Sequence, residues 1–291
     1  MKILITGANG QLGKALRKVL NDSPLASSAV YADHADLDIT NSEQLNRMIE
    51  DEGITHIVNC AAFTDVDRAE EDKAACTAVN NDAAKKLALA ADSFGAKIIH
   101  ISTDFVFDGL THCAYSESAK VNPINHYGTS KRAGETALLA LAPESIIIRT
   151  SWLYNLETEN NFPARIIRKA REEKSLNVVD DQIGSPTNAH DLARAILKIL
   201  STPQWFPGIY HYCNSGLCSR YDFAKAVLRL AGLNGQVDLR PVSSDSFAAG
   251  AGTKRPPFSA LNTSKIRLTY GVETPHWVDS LNNAITYGNI N

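Results

Sequence analysis

The feature that most constrains the fold of this chain is a glycine-rich turn close to its start. The apolar run at residues 2–6 precedes the turn and predicts a buried strand. The turn, GANGQLG, places glycine at Gly7, Gly10 and Gly13, and apolar residues recur at helical spacing after it. A strand, a glycine turn and a helix in this order bring the backbone close to a pyrophosphate and direct a helix N-terminus at it. The three glycines therefore predict a dinucleotide site, with a plain tight turn as the alternative.

Apolar strands and helical segments alternate along most of the 291 residues. Short apolar runs predict further strands at residues 29–32, 56–60, 97–101, 145–149, 178–179 and 208–212. Strands that are almost uninterruptedly apolar indicate a parallel sheet covered on both faces. We therefore expect an α/β fold, a Rossmann-type doubly wound parallel sheet with a smaller C-terminal α/β lobe. Residues 1–152 would form the dinucleotide-binding domain, with segments near 176–205 returning to it, and residues 153–175 and 206–291 would form the lobe.

Acidic residues after the second strand extend the predicted dinucleotide site. Asp33 lies twenty residues after Gly13, where an acid would accept hydrogen bonds from the adenosine ribose; a turn or helix-cap aspartate is the alternative. His34 follows Asp33, whereas an arginine there would favour a 2′-phosphate, so the sequence leans to NAD over NADP. Asp38 and Ile39 are placed to flank the adenine, with a helix cap as the alternative for Asp38.

Further candidate residues follow the later strands, because a parallel sheet binds ligands at the carboxyl ends of its strands. Ala61 and Ala62, with Phe63, end the third strand, and small side chains there would let a cofactor lie against the backbone. Thr103 follows the strand that should end near the nicotinamide. Trp152 follows the next strand, and its indole is placed to stack on a sugar or base. Small residues and a tryptophan at such positions are also common in ordinary cores.

Tyr127 and Lys131 form a Tyr-x-x-x-Lys pair in a segment with a helical pattern, residues 127–141. Residues four apart share one face of a helix. A phenol beside an ammonium can act as a proton-transfer unit, because a nearby positive charge stabilises the phenolate and lowers the pKa of the phenol. Taken alone, such a pair is more often a solvated helix face. The glycine turn and Thr103 favour the catalytic interpretation.

Composition and charge argue against several classes of function. The net charge is −3 and no basic run exists, which disfavours a nucleic-acid partner. No stretch approaches the ~20 apolar residues of a membrane span. The N-terminal apolar run is too short for a signal peptide, so we expect a cytoplasmic protein. The five cysteines lack metal-ligand spacing, which predicts free thiols and no metal site.

With these residues assembled, the sequence resembles the extended short-chain dehydrogenase/reductase superfamily and, within it, the dTDP-4-dehydrorhamnose reductases. The glycine turn and the Tyr-x-x-x-Lys pair are typical of the superfamily as a whole. Four segments are more specific: STDFVFDG at 102–109, RTSW at 149–152, DDQIGSPT at 180–187 and the Arg-Pro-x-x-Ser-x-Leu pattern that begins at Arg255. Other matching segments, from LDIT at 37–40 to GIYHYCNSG at 208–216, extend the resemblance through nearly the whole chain.

The resemblance implies an enzyme that uses NADPH or NADH to reduce the C4 ketone of dTDP-4-dehydro-6-deoxy-L-mannose, giving dTDP-L-rhamnose. Tyr127 would protonate the C4 oxygen, Lys131 would hold the nicotinamide ribose, and Thr103 would orient the carbonyl. The sugar would contact Thr103, Asp104 and Trp152, and the lobe would bind the sugar nucleotide. The implied cofactor contacts are Gly7, Gly10, Gln11, Leu12, Gly13, Asp33, Asp38, Ile39, Ala61, Ala62, Phe63, Tyr127 and Lys131.

The segment 243–257 is rich in Ser, Ala, Gly and Pro and predicts a long loop. We expect this loop to order over the nucleotide of the substrate, because Arg255 is placed to pair with a phosphate. The alternative is a surface arginine, or one that packs against the lobe.

Two departures from the family pattern and two alternative functions remain open. Some members dimerise through first-helix glutamates around a divalent metal, but the helix here, QLGKALRKVL, has no acid. We therefore expect no such metal site, and either a monomer or a homodimer. Phe105 stands where members of the family commonly have a tyrosine.

The alternative functions are another dTDP-6-deoxyhexose 4-ketoreductase and a non-catalytic nucleotide-binding subunit, like the relative that regulates methionine adenosyltransferase.

Overall fold

The computed structural model describes residues 1–248 and 252–287. Its strands are β1 (Ile3–Thr6), β2 (Ala29–Ala32), β3 (His56–Asn59), β4 (Lys97–Thr103), β5 (Ile146–Thr150), β6 (Leu153–Tyr154), β7 (Ser175–Val179), β8 (Ile183–Gly184), β9 (Thr187–Asn188), β10 (Gly208–His211), β11 (Cys218–Ser219) and β12 (Asp238–Val242). Its α-helices are α1 (Gln11–Asn21), α2 (Ser42–Glu52), α3 (Val66–Glu71), α4 (Lys73–Thr77), α5 (Ala83–Phe94), α6 (His126–Leu141), α7 (Phe162–Glu172), α8 (Ala189–Ser201), α9 (Arg220–Leu230), α10 (Asp245–Ala248), α11 (Ser264–Tyr270) and α12 (Trp277–Tyr287). A π-helical segment, Ala78–Asp82, joins α4 to α5.

A parallel sheet with the strand order β10-β5-β4-β3-β1-β2 forms the centre of the molecule. The chain runs outward from β1 to β2 and then returns to β3 on the other side of β1. The strand order therefore reverses at β1 and β3, and ligands of open α/β sheets bind at the carboxyl ends of strands at such a point. The prediction of a Rossmann-type parallel sheet is confirmed.

Two apolar layers cover the sheet because its strand side chains alternate between the two faces. Ile3 and Ile5 pack with α1 and α8, whereas Leu4 packs with α2, α5 and α6. All three strand residues are fully buried. Helices on both faces explain why these strands are apolar without a break. Within the described residues, no helix combines the length and the apolar character that crossing a bilayer requires.

The smaller lobe is an α/β unit built on the parallel pair β7 and β12. Helices α7, α9 and α12 share its core, in which Phe223 and Leu281 are fully buried. Two strands lie elsewhere than the predicted boundaries placed them. β10 pairs with β5 in the central sheet rather than in the lobe, and β7 pairs with β12 rather than returning to the main domain. Strand patterns give the position of a strand in the chain but not its partner, which explains the difference.

The segment 243–257 contains regular structure as well as loop. The helix α10 opens it, and Asp181 accepts hydrogen bonds from the backbone N–H and the hydroxyl of Ser244 at 2.8 and 2.6 Å. Residues 249–251, which fall within the predicted loop, lie outside the described residues. From residue 252 onward the segment follows one wall of the cleft described below.

Candidate active site

A cleft of about 2150 Å³ lies between the carboxyl edge of the central sheet and the lobe. Residues that end or follow β1 to β5 form one wall, and α7, α9 and residues 252–257 contribute to the other. All but one of the predicted site residues line this cleft, namely Gly7, Gly10, Gln11, Leu12, Gly13, Asp33, Asp38, Ile39, Ala61, Ala62, Thr103, Asp104, Tyr127, Lys131, Trp152 and Arg255. The exception is Phe63.

The glycine turn has the close packing that a dinucleotide site requires. Gly7 has a φ of +63°, and a Cβ on it would lie 2.7 Å from the backbone N of Ala61. A Cβ on Gly13 would lie 2.4 Å from the carbonyl oxygen of Gly7. Gly10 is the N-cap of α1 and makes no side-chain cap bond, so the first N–H groups of the helix have no side-chain partner there. This arrangement fits a pyrophosphate at the N-terminus of α1.

Asp33 and Asp38 follow β2, line the cleft and occupy different kinds of turn. The Oδ2 of Asp33 accepts a hydrogen bond from Nδ2 of Asn9 at 2.8 Å, which fixes the carboxylate beside the glycine turn. The Oδ1 of Asp38 accepts hydrogen bonds from the hydroxyl and the backbone N–H of Thr40 at 2.7 and 2.9 Å, and these bonds lower the pKa of Asp38. The N-cap of α2 is Asn41, so Asp38 is a turn residue that also lines the cleft.

Phe63 does not line the cleft, and Asn80 holds its backbone. The Oδ1 of Asn80 accepts a hydrogen bond from the N–H of Phe63 at 2.9 Å, and its Nδ2 donates to the Phe63 carbonyl at 3.0 Å. The same Nδ2 donates to the hydroxyl of Ser130 on α6 at 3.0 Å. Asn80 belongs to the π-helical segment, which interrupts the alanine-rich helical region between α4 and α5. A buried asparagine inside an alanine-rich helix is the signal that marks this position.

The catalytic candidates meet where α6 presses against the turn after β4. Asn125 caps α6 by accepting a hydrogen bond from the N–H of Gly128 at 2.8 Å. A Cβ on Gly128 would lie only 2.1 Å from the carbonyl oxygen of Phe105, so only glycine lets the helix come this close. The contact brings Tyr127 and Thr103 to the same part of the cleft. Thr103, at the end of β4, is 5% exposed.

The charge state of Tyr127 differs from the expectation based on its lysine neighbour. Burial raises the pKa of Tyr127 above its usual value, the negative charge of Asp104 adds to the rise, and the Thr103 hydrogen bond opposes it. The ammonium of Lys131 does not counter this rise, because its Nζ donates to the carbonyl oxygen of Ile101 at 2.6 Å and lies 3.3 Å from Nε2 of His100. Burial also lowers the pKa of Lys131 to about 8. Tyr127 is therefore a protonated phenol before reaction.

Asp104 presents a buried carboxyl group to the cleft. The residue is 2% exposed, and its Oδ1 accepts a hydrogen bond from the hydroxyl of Thr103 at 3.1 Å. Its Oδ2 makes no hydrogen bond of good geometry to any described residue. Burial raises the pKa of Asp104 to about 6, although Ser259, Thr103 and Arg220 each lower it. A buried oxygen without a donor fits a hydroxyl group of a bound ligand.

Trp152 lines the cleft, and the guanidinium of Arg220 stacks on one face of its indole. The residue has a φ of +47°, and a Cβ on Gly184 would lie 2.8 Å from Cε2 of the indole. The guanidinium of Arg220 lies 3.7 Å from the centroid of the indole ring. Sequence reasoning missed Arg220, which begins a helix and has no motif of its own.

Arg255 lines the cleft as well, with its guanidinium 2.9 Å from Oδ2 of Asp67 on α3.

The fold and the site together define a class of protein. A parallel sheet with a glycine turn after β1, and a threonine, a tyrosine and a lysine brought together by β4 and α6, is the arrangement of the short-chain dehydrogenases/reductases.

Comparisons with known proteins identify the family within that class. The family model described as the RmlD substrate binding domain matches residues 1–289. A dTDP-4-dehydrorhamnose reductase of Aggregatibacter actinomycetemcomitans is 37% identical over 98% of this chain and 99% of its own length. A dTDP-4-keto-6-deoxy-D-glucose reductase of Streptomyces niveus is also 37% identical, over 97% of this chain and 95% of its own. The crystal structure of a Bacillus anthracis dTDP-4-dehydrorhamnose reductase in complex with NADP has a TM-score of 0.91 and 38% identity, covering 98% of this chain and 99% of that one. The chain belongs to the dTDP-4-dehydrorhamnose reductase family.

Proposed function

We propose that this protein reduces the C4 ketone of dTDP-4-dehydro-6-deoxy-L-mannose to give dTDP-L-rhamnose, the last step in making that sugar nucleotide, with NADPH or NADH as reductant. The observation that carries the proposal is the meeting of Thr103, Tyr127 and Lys131 in the same cleft as the glycine turn. The names of full-length relatives and the NADP bound to a similar structure support it.

Each catalytic residue has a role that follows from its surroundings. Burial keeps Tyr127 protonated, so its hydroxyl is ready to donate a proton to the C4 oxygen. The nicotinamide cofactor, when bound, supplies the hydride that C4 receives. Lys131 has a pKa of about 8 and is charged at neutral pH, so its ammonium can donate hydrogen bonds to the ribose hydroxyls of the cofactor. Thr103 orients the carbonyl, and the free Oδ2 of Asp104 accepts a hydrogen bond from a sugar hydroxyl.

The test is consumption of NADPH or NADH with dTDP-4-dehydro-6-deoxy-L-mannose, compared between wild type and Tyr127→Phe. Removing the proton donor should lower kcat by ~10²–10⁴ while cofactor affinity stays the same. Tyr221→Phe is a matched control, because Tyr221 is a partly buried tyrosine of the lobe core that does not line the cleft. A wild type that consumes neither cofactor would exclude the proposed reaction. Unchanged turnover in Tyr127→Phe would remove Tyr127 from it.

A second candidate reaction is supported by the Streptomyces niveus relative, which is as similar as the first relative but has a different name. The protein would then reduce another dTDP-6-deoxyhexose 4-ketone to a product of different configuration. Proton NMR of the purified product distinguishes the two, because the coupling constants of H4 differ between axial and equatorial alcohols. A product other than the rhamnose configuration would favour this second reaction.

The cofactor and the loop remain separate proposals. We propose that both reduced cofactors are accepted, since Asp33 is fixed beside the ribose position whereas a similar structure holds NADP. Steady-state kinetics with each cofactor would rank them. The pairing of Arg255 with a substrate phosphate stays a prediction. The Arg255 guanidinium would have to leave the carboxylate of Asp67 for the phosphate, or bind both groups at once.

We also keep as predictions a cytoplasmic location and either a monomer or a homodimer.

A further inference from the structure

Arg220 is a cation on the lobe side of the cleft that lacks an anionic partner. Its guanidinium lies 3.7 Å from the ring centroid of Trp152 and 5.2 Å from that of Phe162. Among the described residues, no carboxylate forms an ion pair with it, and its guanidinium N–H groups donate no hydrogen bond. Its backbone N–H donates to the carbonyl of Gln182 at 3.2 Å, which fixes the start of α9.

The surroundings make this cation an anion receptor. A guanidinium has five N–H donors, and stacking on aromatic rings covers its faces but leaves its donor edges free. Burial, together with the nearby charges of Arg255 and Arg165, lowers the pKa of Arg220 to about 9, although Asp104 opposes the fall. A partly buried charge with unfilled donors is stabilised when a ligand of opposite charge pairs with it.

The position of Arg220 limits which anion it can meet. Arg220 and Asp104 are close enough for each charge to shift the pKa of the other. Asp104 follows Thr103, which orients the C4 carbonyl in the proposed function. An anion at Arg220 therefore lies beside the predicted sugar contacts Asp104 and Trp152. In a dTDP-sugar the anionic group next to the sugar is the β-phosphate, which is attached to C1.

We propose that Arg220 binds the sugar-linked β-phosphate of the substrate, with the Trp152 indole as the platform that orients its guanidinium. This inference rests on the proposed function, because it takes the ligand to be a dTDP-sugar. A planar guanidinium can donate two parallel hydrogen bonds to one phosphate, which fixes both the position and the orientation of that group. The role of Trp152 follows from this: it supports the phosphate ligand rather than stacking freely on a base.

A purely structural role for Arg220 makes a different prediction. If the guanidinium only braced Trp152, which has an unfavourable positive φ, its loss would disturb the whole lobe side of the cleft. Binding of thymidine, dTMP and dTDP would then weaken together. If Arg220 instead binds the β-phosphate, its loss weakens the binding of dTDP alone, because only dTDP carries that phosphate.

Isothermal titration calorimetry of the full chain with thymidine, dTMP and dTDP tests the inference. Arg220→Gln should weaken dTDP binding by about tenfold to a hundredfold, the loss expected for charge-assisted hydrogen bonds, and leave dTMP, thymidine and NADPH affinities unchanged. Arg220→Lys should recover part of the dTDP affinity. Arg229→Gln is the matched control, since Arg229 is an exposed residue of the same helix that does not line the cleft.

Three titration results would overturn the inference. They are a dTDP affinity that is unchanged in Arg220→Gln, an equal loss of affinity for all three ligands, and a wild type that binds dTDP no better than dTMP. Kinetics separate this inference from the proposed function. Active wild type with an unchanged KM for the sugar nucleotide in Arg220→Gln refutes only the role of Arg220, whereas inactive wild type refutes the reaction whatever Arg220 binds.

Discussion

Replacing Gly128 by alanine should damage catalysis through a single steric contact. The new Cβ would lie 2.1 Å from the carbonyl oxygen of Phe105, whereas ordinary contacts begin near 3.4 Å, so α6 or the turn must move by about 1.3 Å. Overpacking of this kind costs about 1–3 kcal/mol. Alanine returns up to ~1 kcal/mol through its higher helix propensity. With the full gain in helix propensity, we therefore expect the free energy of unfolding to fall by about 0–2 kcal/mol.

The effect on turnover should be larger than the effect on stability. A displacement near 1 Å of a positioned group can cost ~10² in rate, and the movement here separates Tyr127 from Thr103. Steady-state kcat/KM and urea unfolding measure the two effects on the same protein. Gly134→Ala is the comparison variant, since its Cβ would lie 2.3 Å from the carbonyl oxygen of Asn80, a similarly close contact of α6 that faces the π-helical segment instead of the turn after β4. Wild-type kcat/KM in Gly128→Ala, with wild-type stability, would refute the reasoning.

The remaining predictions concern buried charge. Glu135 accepts two hydrogen bonds at 2.8 Å from Arg149, and both side chains are almost fully buried, so Glu135→Gln leaves an unpaired buried cation and should cost about 3–5 kcal/mol in urea unfolding. An equal midpoint for Glu135→Gln and the exposed control Glu172→Gln would contradict this. Lys131 has a folded pKa of about 8, so it is charged below that pH and neutral above it. The kcat/KM of the wild type should therefore fall as pH rises through about 8, and a level profile up to about pH 9.5 would separate Lys131 from the activity.

The glycine turn and its place between a strand and a helix could be predicted from the sequence because these signals are local. The strand, the glycine turn and the first helix are contiguous, and Gly7 and Gly13 are glycine for steric reasons that the structure shows directly. Asp33 follows at a spacing set by one helix and one strand. Alternating elements also sufficed to predict the parallel sheet, since each apolar strand had to be covered on both faces.

The remainder depended on contacts between distant parts of the chain. Phe63 follows a strand as a cofactor contact should, but Asn80 binds its backbone from behind. The helical spacing of Tyr127 and Lys131 was correct, yet spacing does not give burial, and burial sets the direction of the Tyr127 pKa. For the same reason the partners of β7 and β10 did not follow from their patterns.

The sugar half of the site shows most clearly why local patterns are insufficient there. Ser219 and Asp222 form a capping box, so the sequence around Arg220 indicates only the start of a helix. That cap nevertheless fixes where α9 begins, and hence places the Arg220 guanidinium over Trp152. Gly184, from a third part of the chain, leaves the space that the indole fills. Three features separated by more than thirty residues each thus combine into one binding element. Because each of them has an ordinary structural reason on its own, only their contact in the fold gives Arg220 a function.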